Sequence, residues 1–103
     1  MNKLTLSALL AACALIAAPT YAADVAAGKK IAEAGCADCH GDDGKGDDEN
    51  PAIAGMAVDK FTKAMTEYQD GTNTKDAQMT KAAKKLNAAQ VADVAAYYAS
   101  LPK

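Results

Sequence analysis

The sequence predicts an all-α domain. Apolar residues recur at the three- and four-residue spacing of helices in several segments, and residues that cap or end helices flank those segments. No segment shows the alternation of apolar and polar residues that marks a half-buried strand. The chain has 103 residues, which is enough for one domain at most.

Three helices are predicted in the first part of this domain. The first covers residues 24–35, although Gly28 inside it is less favourable than Ala by ~1 kcal/mol. This glycine is either a tolerated surface residue or a point where another helix approaches closely. The second helix covers residues 57–70 and is ended by Gly71. Residues 75–85 are compatible with a short third helix.

The last helix has the clearest start. Asn87 is a good N-cap residue, and Gln90 three residues later completes the pattern of a capping box. Leu86 before the cap and Val91 after it can form a hydrophobic staple. We expect this helix to run to about Leu101.

Residues 1–22 have the layout of a secretory signal peptide, with a lysine near the terminus, an apolar run and a small-residue cleavage site ending at Ala22. The run is shorter than the ~20 residues that a membrane-spanning helix needs. We therefore expect the signal to be removed and residues 23–103 to reach the periplasm without stable membrane insertion. The sequence before Cys13 also resembles a lipoprotein processing box, so a lipid anchor at Cys13 is the alternative.

The charge of residues 23–103 argues against nucleic-acid binding. Ten of the 11 basic residues, all lysines, and all 13 acidic residues lie in this part, for a net charge of −3. Residues 41–51 combine three glycines with five acidic side chains, which predicts a loop. Its acidic residues form either a solvated face or a patch that faces a partner.

The motif that carries chemistry is Cys36-Ala37-Asp38-Cys39-His40, a C-x-x-C-H sequence typical of c-type haem attachment. Two thiols at this spacing reach the two vinyl groups on one porphyrin edge, and the next histidine can bind the iron. A thioredoxin-like pair would need a βαβ surround, and a zinc site would need four ligands. His40 is the only histidine, and a disulfide within the motif would constrain little of the chain.

A haem would also supply apolar surface that this domain lacks. Most of its apolar residues are alanines, which bury little area. A domain of this size rarely gains more than ~3–5 kcal/mol from its own core and usually needs a staple. The aromatic side chains after residue 22 are Phe61, Tyr68, Tyr97 and Tyr98.

A second protein ligand to the iron is expected to be a methionine, since no other histidine is present. Met65 lies on the apolar face of the second predicted helix, where packing explains it. Met56 follows Pro51 closely and is expected on the same side of the ring as His40. Met79 lies in a polar loop after that helix, with little packing reason to be there. We therefore expect Met79 as the ligand, with Met56 as the alternative.

The sequence resembles the class I c-type cytochromes, specifically the short bacterial monohaem type, over essentially all of residues 23–103. The haem motif is highly specific, and weaker segments occur in the order and spacing of that family. These segments are Gly28-Lys29-Lys30-Ile31, Pro51-Ala52-Ile53-Ala54-Gly55, Met79, and Val94-Ala95-Ala96-Tyr97-Tyr98-Ala99-Ser100-Leu101.

The resemblance implies a small cytochrome c fold, in which the first and last helices cross and helices and loops enclose one covalent haem c. It implies covalent bonds from Cys36 and Cys39, His40 as the proximal iron ligand and Met79 as the distal one. The carbonyl of Pro51 would accept a hydrogen bond from the other nitrogen of His40. The glycine inside the first helix would permit the close crossing.

The implied function is single-electron transfer by a periplasmic carrier that is not an enzyme. Larger redox proteins would be its donor and acceptor, met through small transient interfaces, and the carrier would be monomeric. One alternative is a haem subunit of a larger dehydrogenase, such as a sulfide-oxidising flavoprotein complex. Another is a five-coordinate haem sensor or enzyme, which would require that Met79 does not bind iron.

Overall fold

The computed structural model describes residues 23–103. The predicted signal peptide and the alternative lipid site at Cys13 lie outside the described residues. This part of the chain contains no strand, so the all-α prediction is confirmed, and none of its helices is long and apolar enough to cross a membrane. In chain order the helices are α1 (Val25–Gly35), α2 (Ala37–His40), α3 (Val58–Asp70), α4 (Ala77–Lys84) and α5 (Ala88–Ala99).

The capping box of the last helix and the terminating Gly71 lie where the sequence predicts them, and Asp24, expected inside the first helix, is its N-cap. Asp24 caps α1, because its carboxylate accepts a hydrogen bond from the N–H of Ala27 at 3.0 Å. At the start of α5, Asn87 accepts from the N–H of Gln90 at 2.8 Å, and the Gln90 side chain accepts from the N–H of Asn87 at 3.0 Å. This is the predicted capping box. Gly71 ends α3 in the left-handed conformation.

The segment around Met79 is helical, which confirms the short helix expected within residues 75–85 and corrects the expectation that Met79 lies in a polar loop. Asp76 caps α4, since its carboxylate accepts hydrogen bonds from the N–H groups of Gln78 at 2.9 Å and Met79 at 3.2 Å. Met79 is therefore the third residue of α4, in its first turn. The four-residue helix α2 is absent from the sequence prediction, because one turn is too short to show a period.

The first and last helices make the most extensive helix–helix contact of the described chain. A Cβ atom added at Gly28 would overlap the backbone carbonyl of Asp93 and press on the nitrogen of Val94. The two backbones therefore touch at this point, as only a missing side chain allows. The carboxylate of Asp93 also accepts a hydrogen bond from the N–H of Asp24 at 2.8 Å, which ties the start of α1 to α5.

The core lies around Tyr98, where α3 and α5 meet. Tyr98 is 1% exposed, and its ring stacks on Phe61 with centroids 5.9 Å apart and tilts against Tyr97 at 5.1 Å. Apart from these aromatic residues the core is built mainly from small side chains, as the composition predicts. The other buried core residues are Ala32, Ile53, Met65, Ala83, Val91, Val94 and Ala95.

Replacing Gly28 with alanine should destabilise the domain, because the added methyl group overlaps backbone atoms of α5 and can fit only if the helices separate. We expect the free energy of unfolding to fall by about 1–3 kcal/mol in guanidinium denaturation. Gly35→Ala is the matched control, since no atom lies within 4 Å of its Cβ position. It should leave the free energy unchanged or raise it by less than ~1 kcal/mol. Equal losses in both variants would contradict the close crossing.

Candidate haem site

The C-x-x-C-H motif begins where α1 ends. Cys36 terminates α1, with its N–H donating to the carbonyl of Ala32 at 2.8 Å. The N–H groups of Cys39 and His40 both donate back to the carbonyl of Cys36, at 3.3 and 3.0 Å. Both cysteines are free thiols, with Cys36 half-buried and Cys39 exposed. One tight turn thus carries two thiols and an imidazole.

The thiol of Cys36 lies against the last helix. Burial raises the pKa of the Cys36 thiol, and its hydrogen bond with the hydroxyl of Tyr98 lowers that pKa by less. The pKa of Tyr98 is also raised, chiefly by burial and further by Cys36 and Tyr97. Tyr98 lies on the last helix, 62 residues after Cys36 in the sequence. Its contact with Cys36 depends on the helix crossing and leaves no local sequence signal.

His40 is held by the loop that follows it. Its side chain is 6% exposed, and Nδ1 lies 2.8 Å from the carbonyl oxygen of Pro51. Because a carbonyl can only accept, Nδ1 donates in this bond, and in the neutral ring the free lone pair is then on Nε2. A histidine that binds a metal through one nitrogen commonly donates from the other to such an oxygen. His40 therefore has the tautomer and the orientation that an iron ligand needs.

The loop between α2 and α3 folds back on itself to bring Pro51 to His40. The N–H of Gly46 donates to the carbonyl of His40 at 2.8 Å, and the N–H of Asp47 donates to the carbonyl of Asn50 at 2.9 Å. Gly46 has a φ of 69°, and a Cβ atom there would overlap the backbone of Asn50 and Pro51. Only glycine fits this position without strain.

Two side chains of the acidic cluster accept hydrogen bonds from the backbone of this loop. The Oδ1 atom of Asp47 accepts from the N–H of Glu49 at 2.9 Å, from the N–H of Asn50 at 2.8 Å and from the Asn50 side chain at 3.2 Å. These bonds, led by the one from Glu49, lower the pKa of Asp47. Asp43 accepts from the N–H of Lys45 at 3.0 Å in the same way. Neither sequence interpretation of the cluster anticipated this structural role.

The three candidate methionines occupy different environments. Met65 is buried in the core, which agrees with a packing role. Met56 and Met79 are half-buried and pack against the edge of the core. Met56 lies in a turn that begins at Ile53, in the same loop as the Pro51 carbonyl that holds His40. Met79 belongs instead to α4, the helix that follows α3 in the sequence.

The residues present fit a haem. The donor set comprises two free thiols, an imidazole with a free Nε2 and two thioethers beside apolar side chains. Within residues 23–103, no group of three or more His, Cys, Asp or Glu side chains is placed to hold a metal ion. The apolar side chains at the edge of the core are Ile31, Cys36, Met56, Tyr68, Met79, Leu86 and Leu101.

Comparison with known proteins decides the family. The family model for cytochrome c matches residues 25–102, nearly all of the described chain. The chain belongs to the cytochrome c family. A cytochrome c4 from Pseudomonas aeruginosa is 40% identical over 101 residues, covering 97% of this chain and 49% of that protein. Cytochrome c-552 from Acidithiobacillus ferridurans is 38% identical over 66 residues, covering 64% of this chain and 28% of that protein.

The small cytochrome c fold is confirmed by a solved structure. Cytochrome c4 from Acidithiobacillus ferrooxidans superposes with a TM-score of 0.73 at 33% identity, covering 82% of this chain and 53% of the other. This cytochrome c therefore spans about half the length of the two cytochrome c4 proteins, and less of cytochrome c-552.

The stability of this cytochrome c should depend on Asp47 in a pH-specific way. A lowered pKa in the folded state means that the charged carboxylate favours folding. This contribution is present above the ordinary carboxyl pKa of ~3.9 and is lost as pH falls through the lower pKa of the folded state. Asp47→Ala should therefore lower the melting temperature at neutral pH. The further fall in melting temperature between about pH 5 and pH 2 should be smaller in this variant than in the wild type.

Asp48→Ala is the control for this experiment, because the Asp48 carboxylate accepts no hydrogen bond within the described residues. It should melt like the wild type across the same series of pH values. The account of the loop is contradicted if Asp47→Ala loses as much stability on acidification as the wild type does.

Proposed function

We propose that this cytochrome c carries single electrons in the periplasm, with one haem c attached through Cys36 and Cys39 and ligated by His40 and Met79. The observation that carries the proposal is the buried His40, held at Nδ1 by the carbonyl of Pro51 directly after two free thiols. When bound, the haem supplies an Fe(III)/Fe(II) couple. Family membership and the cytochrome relatives support electron transfer.

The two thiols would form the covalent attachment. Each thiol would add across one vinyl group of the haem, with its sulfur bonding to one vinyl carbon and its hydrogen passing to the other. Cys36 is held inside against Tyr98, whereas Cys39 is exposed. The porphyrin edge at Cys39 would therefore face solvent and partners, while the rest of the ring would be enclosed by the apolar edge of the core.

The position of Met79 supports it as the second axial ligand. Met56 shares a loop with Pro51, which holds the ring of His40, and so belongs to the proximal side. Met79 is presented by a separate helix at the edge of the same core. A thioether donor raises the reduction potential. Two ligands from the chain would leave no open position for a substrate, as expected of a carrier rather than an enzyme.

One haem per chain is proposed because the sequence holds one C-x-x-C-H motif and one histidine. The chain matches about half of the length of its cytochrome c4 relatives. The solved cytochrome c4 is described as supporting a complex-induced tuning of electron transfer. We propose larger redox proteins as donor and acceptor for this chain too, with transient contacts to a monomer. The exposed acidic side chains of the loop that do not bond its backbone would face a basic partner.

Met79→Ala tests the ligand assignment. Oxidised wild-type protein should show the weak near-infrared sulfur-to-iron band, because a thioether sulfur is bound to ferric iron. The substitution should erase this band, lower the reduction potential and let carbon monoxide bind the reduced protein. Absorption spectra and a redox titration of the holoprotein measure all three effects.

Met56→Leu and Met65→Leu are the controls, since a packing methionine exchanges with leucine at under ~1.5 kcal/mol. Both should keep the near-infrared band. If Met56→Leu erases it and Met79→Ala does not, the ligand assignment is wrong while electron transfer stands. A wild-type protein that lacks the band and readily binds carbon monoxide when reduced would overturn the carrier function in favour of a sensor or enzyme.

A further inference from the structure

The side chain of Gln69 connects three helices at one point. Gln69 lies one residue before the end of α3 and is half-buried. Its Nε2 atom donates to the carbonyl oxygen of Ala83 at 2.8 Å and to that of Leu86 at 3.0 Å. Ala83 belongs to the last turn of α4, and Leu86 directly precedes Asn87, the N-cap of α5. One amide group thus holds the corner between α4 and α5 against α3.

These two carbonyls lie at and just beyond the C-terminal end of α4, where carbonyl groups lack partners within the helix. The oxygen of Ala83 also accepts from the N–H of Leu86 at 3.1 Å, and Gln69 adds a side-chain donor to these backbone bonds. No other side chain of α3 donates to the backbone of α4 or to its link with α5 within the described residues. The remaining contact between α3 and α4 is apolar packing, which does not define a single register as two directed bonds do.

The end of α4 that Gln69 binds and the residue Met79 belong to the same short helix. Ala83 follows Met79 by four residues and therefore lies one turn further along the same face of the helix. Ala83 is 0% exposed, and Met79 reaches the edge of the same core. A rotation or slide of α4 would displace both residues together, because a helix of eight residues moves as a rigid unit.

We propose that Gln69 is a positioning residue for iron ligation: its hydrogen bonds to Ala83 and Leu86 hold α4 in the register that keeps the sulfur of Met79 on the iron. The proposal rests on the proposed function, in which Met79 is the axial ligand. Gln69 acts through the backbone of α4. Its loss should loosen the methionine ligation in a protein that is still folded.

Gln69→Glu tests this proposal with a nearly isosteric change. An ionised carboxylate has no hydrogen to donate and would face two carbonyl oxygens at the negative end of α4. At neutral pH, the reduced holoprotein should bind carbon monoxide about tenfold faster than the wild type. Carbon monoxide can bind only when Met79 leaves the iron, and the variant lacks the two hydrogen bonds that favour the Met79-bound state. The near-infrared band of the oxidised protein should weaken in parallel. Gln69→Met, which lacks the donor and the charge, should change both in the same direction by less.

Gln78→Glu is the matched control. It makes the same chemical change on an exposed side chain of α4, one residue before Met79, and its side chain makes no hydrogen bond within the described residues. It should leave the carbon monoxide rate and the band unchanged. All variants are measured well below their melting temperatures, with helical content checked by circular dichroism, and Gln69→Met decides the test if Gln69→Glu does not fold.

The proposal is overturned if folded Gln69→Glu and Gln69→Met bind carbon monoxide at the wild-type rate and keep the wild-type near-infrared band. Gln69 would then be a purely structural residue, even if both variants melt at lower temperature. An equal change in Gln78→Glu would overturn it as well. If the wild type itself lacks the band and binds carbon monoxide as fast as Met79→Ala does, the proposed function fails, and this proposal fails with it.

Discussion

The close crossing of α1 and α5 at Gly28 determines where the other functional elements lie. Because α1 ends at the haem motif, contact between the two helix backbones brings Cys36 to Tyr98 near the end of α5. The ring of Tyr98 would lie only 3.0 Å from a Cβ atom at Gly44, and the backbone carbonyl of Tyr98 accepts a hydrogen bond from the N–H of Gly55 at 2.8 Å. The loop after the motif is therefore attached to the same helix. A single missing side chain in α1 makes this arrangement possible.

The loop after the motif fixes the orientation of the His40 ring. Gly46 lets the chain fold back sharply, Asp47 closes the turn, and the carbonyl of Pro51 then meets Nδ1 of His40. The ring is left with one nitrogen available for a metal. In the proposed function this nitrogen would bind the iron, and the hydrogen bond to Pro51 would hold the ring in place.

The composition of the core explains why such a domain would bind a large prosthetic group. Its buried side chains are mostly alanine and valine around three aromatic rings, and several apolar side chains remain only partly covered at its edge. A porphyrin against that edge would bury them and complete the core. In the proposed function the haem therefore stabilises the fold and provides the redox centre.

Features that depend on local sequence were predictable, and features that depend on tertiary contact were not. The cap at Asn87 and the haem motif can be recognised within a few residues, because each depends on local interactions. The polar residues before Met79 favour a loop at that position, although residues 75–85 are also compatible with a short helix; in the structure Asp76 caps that helix. The bonds of Gln69 to α4 leave no periodic signal, because an isolated glutamine on a helix surface has no pattern from which its partner follows.

The covalent attachment of one haem at the C-x-x-C-H motif can be tested by the intact mass of the purified protein under denaturing conditions. We expect a chain that begins at Ala23 and carries the mass of one haem. Digestion should place this added mass on the peptide that contains Cys36 and Cys39. Two unmodified cysteines in the purified protein, or haem that is lost on denaturation, would contradict it.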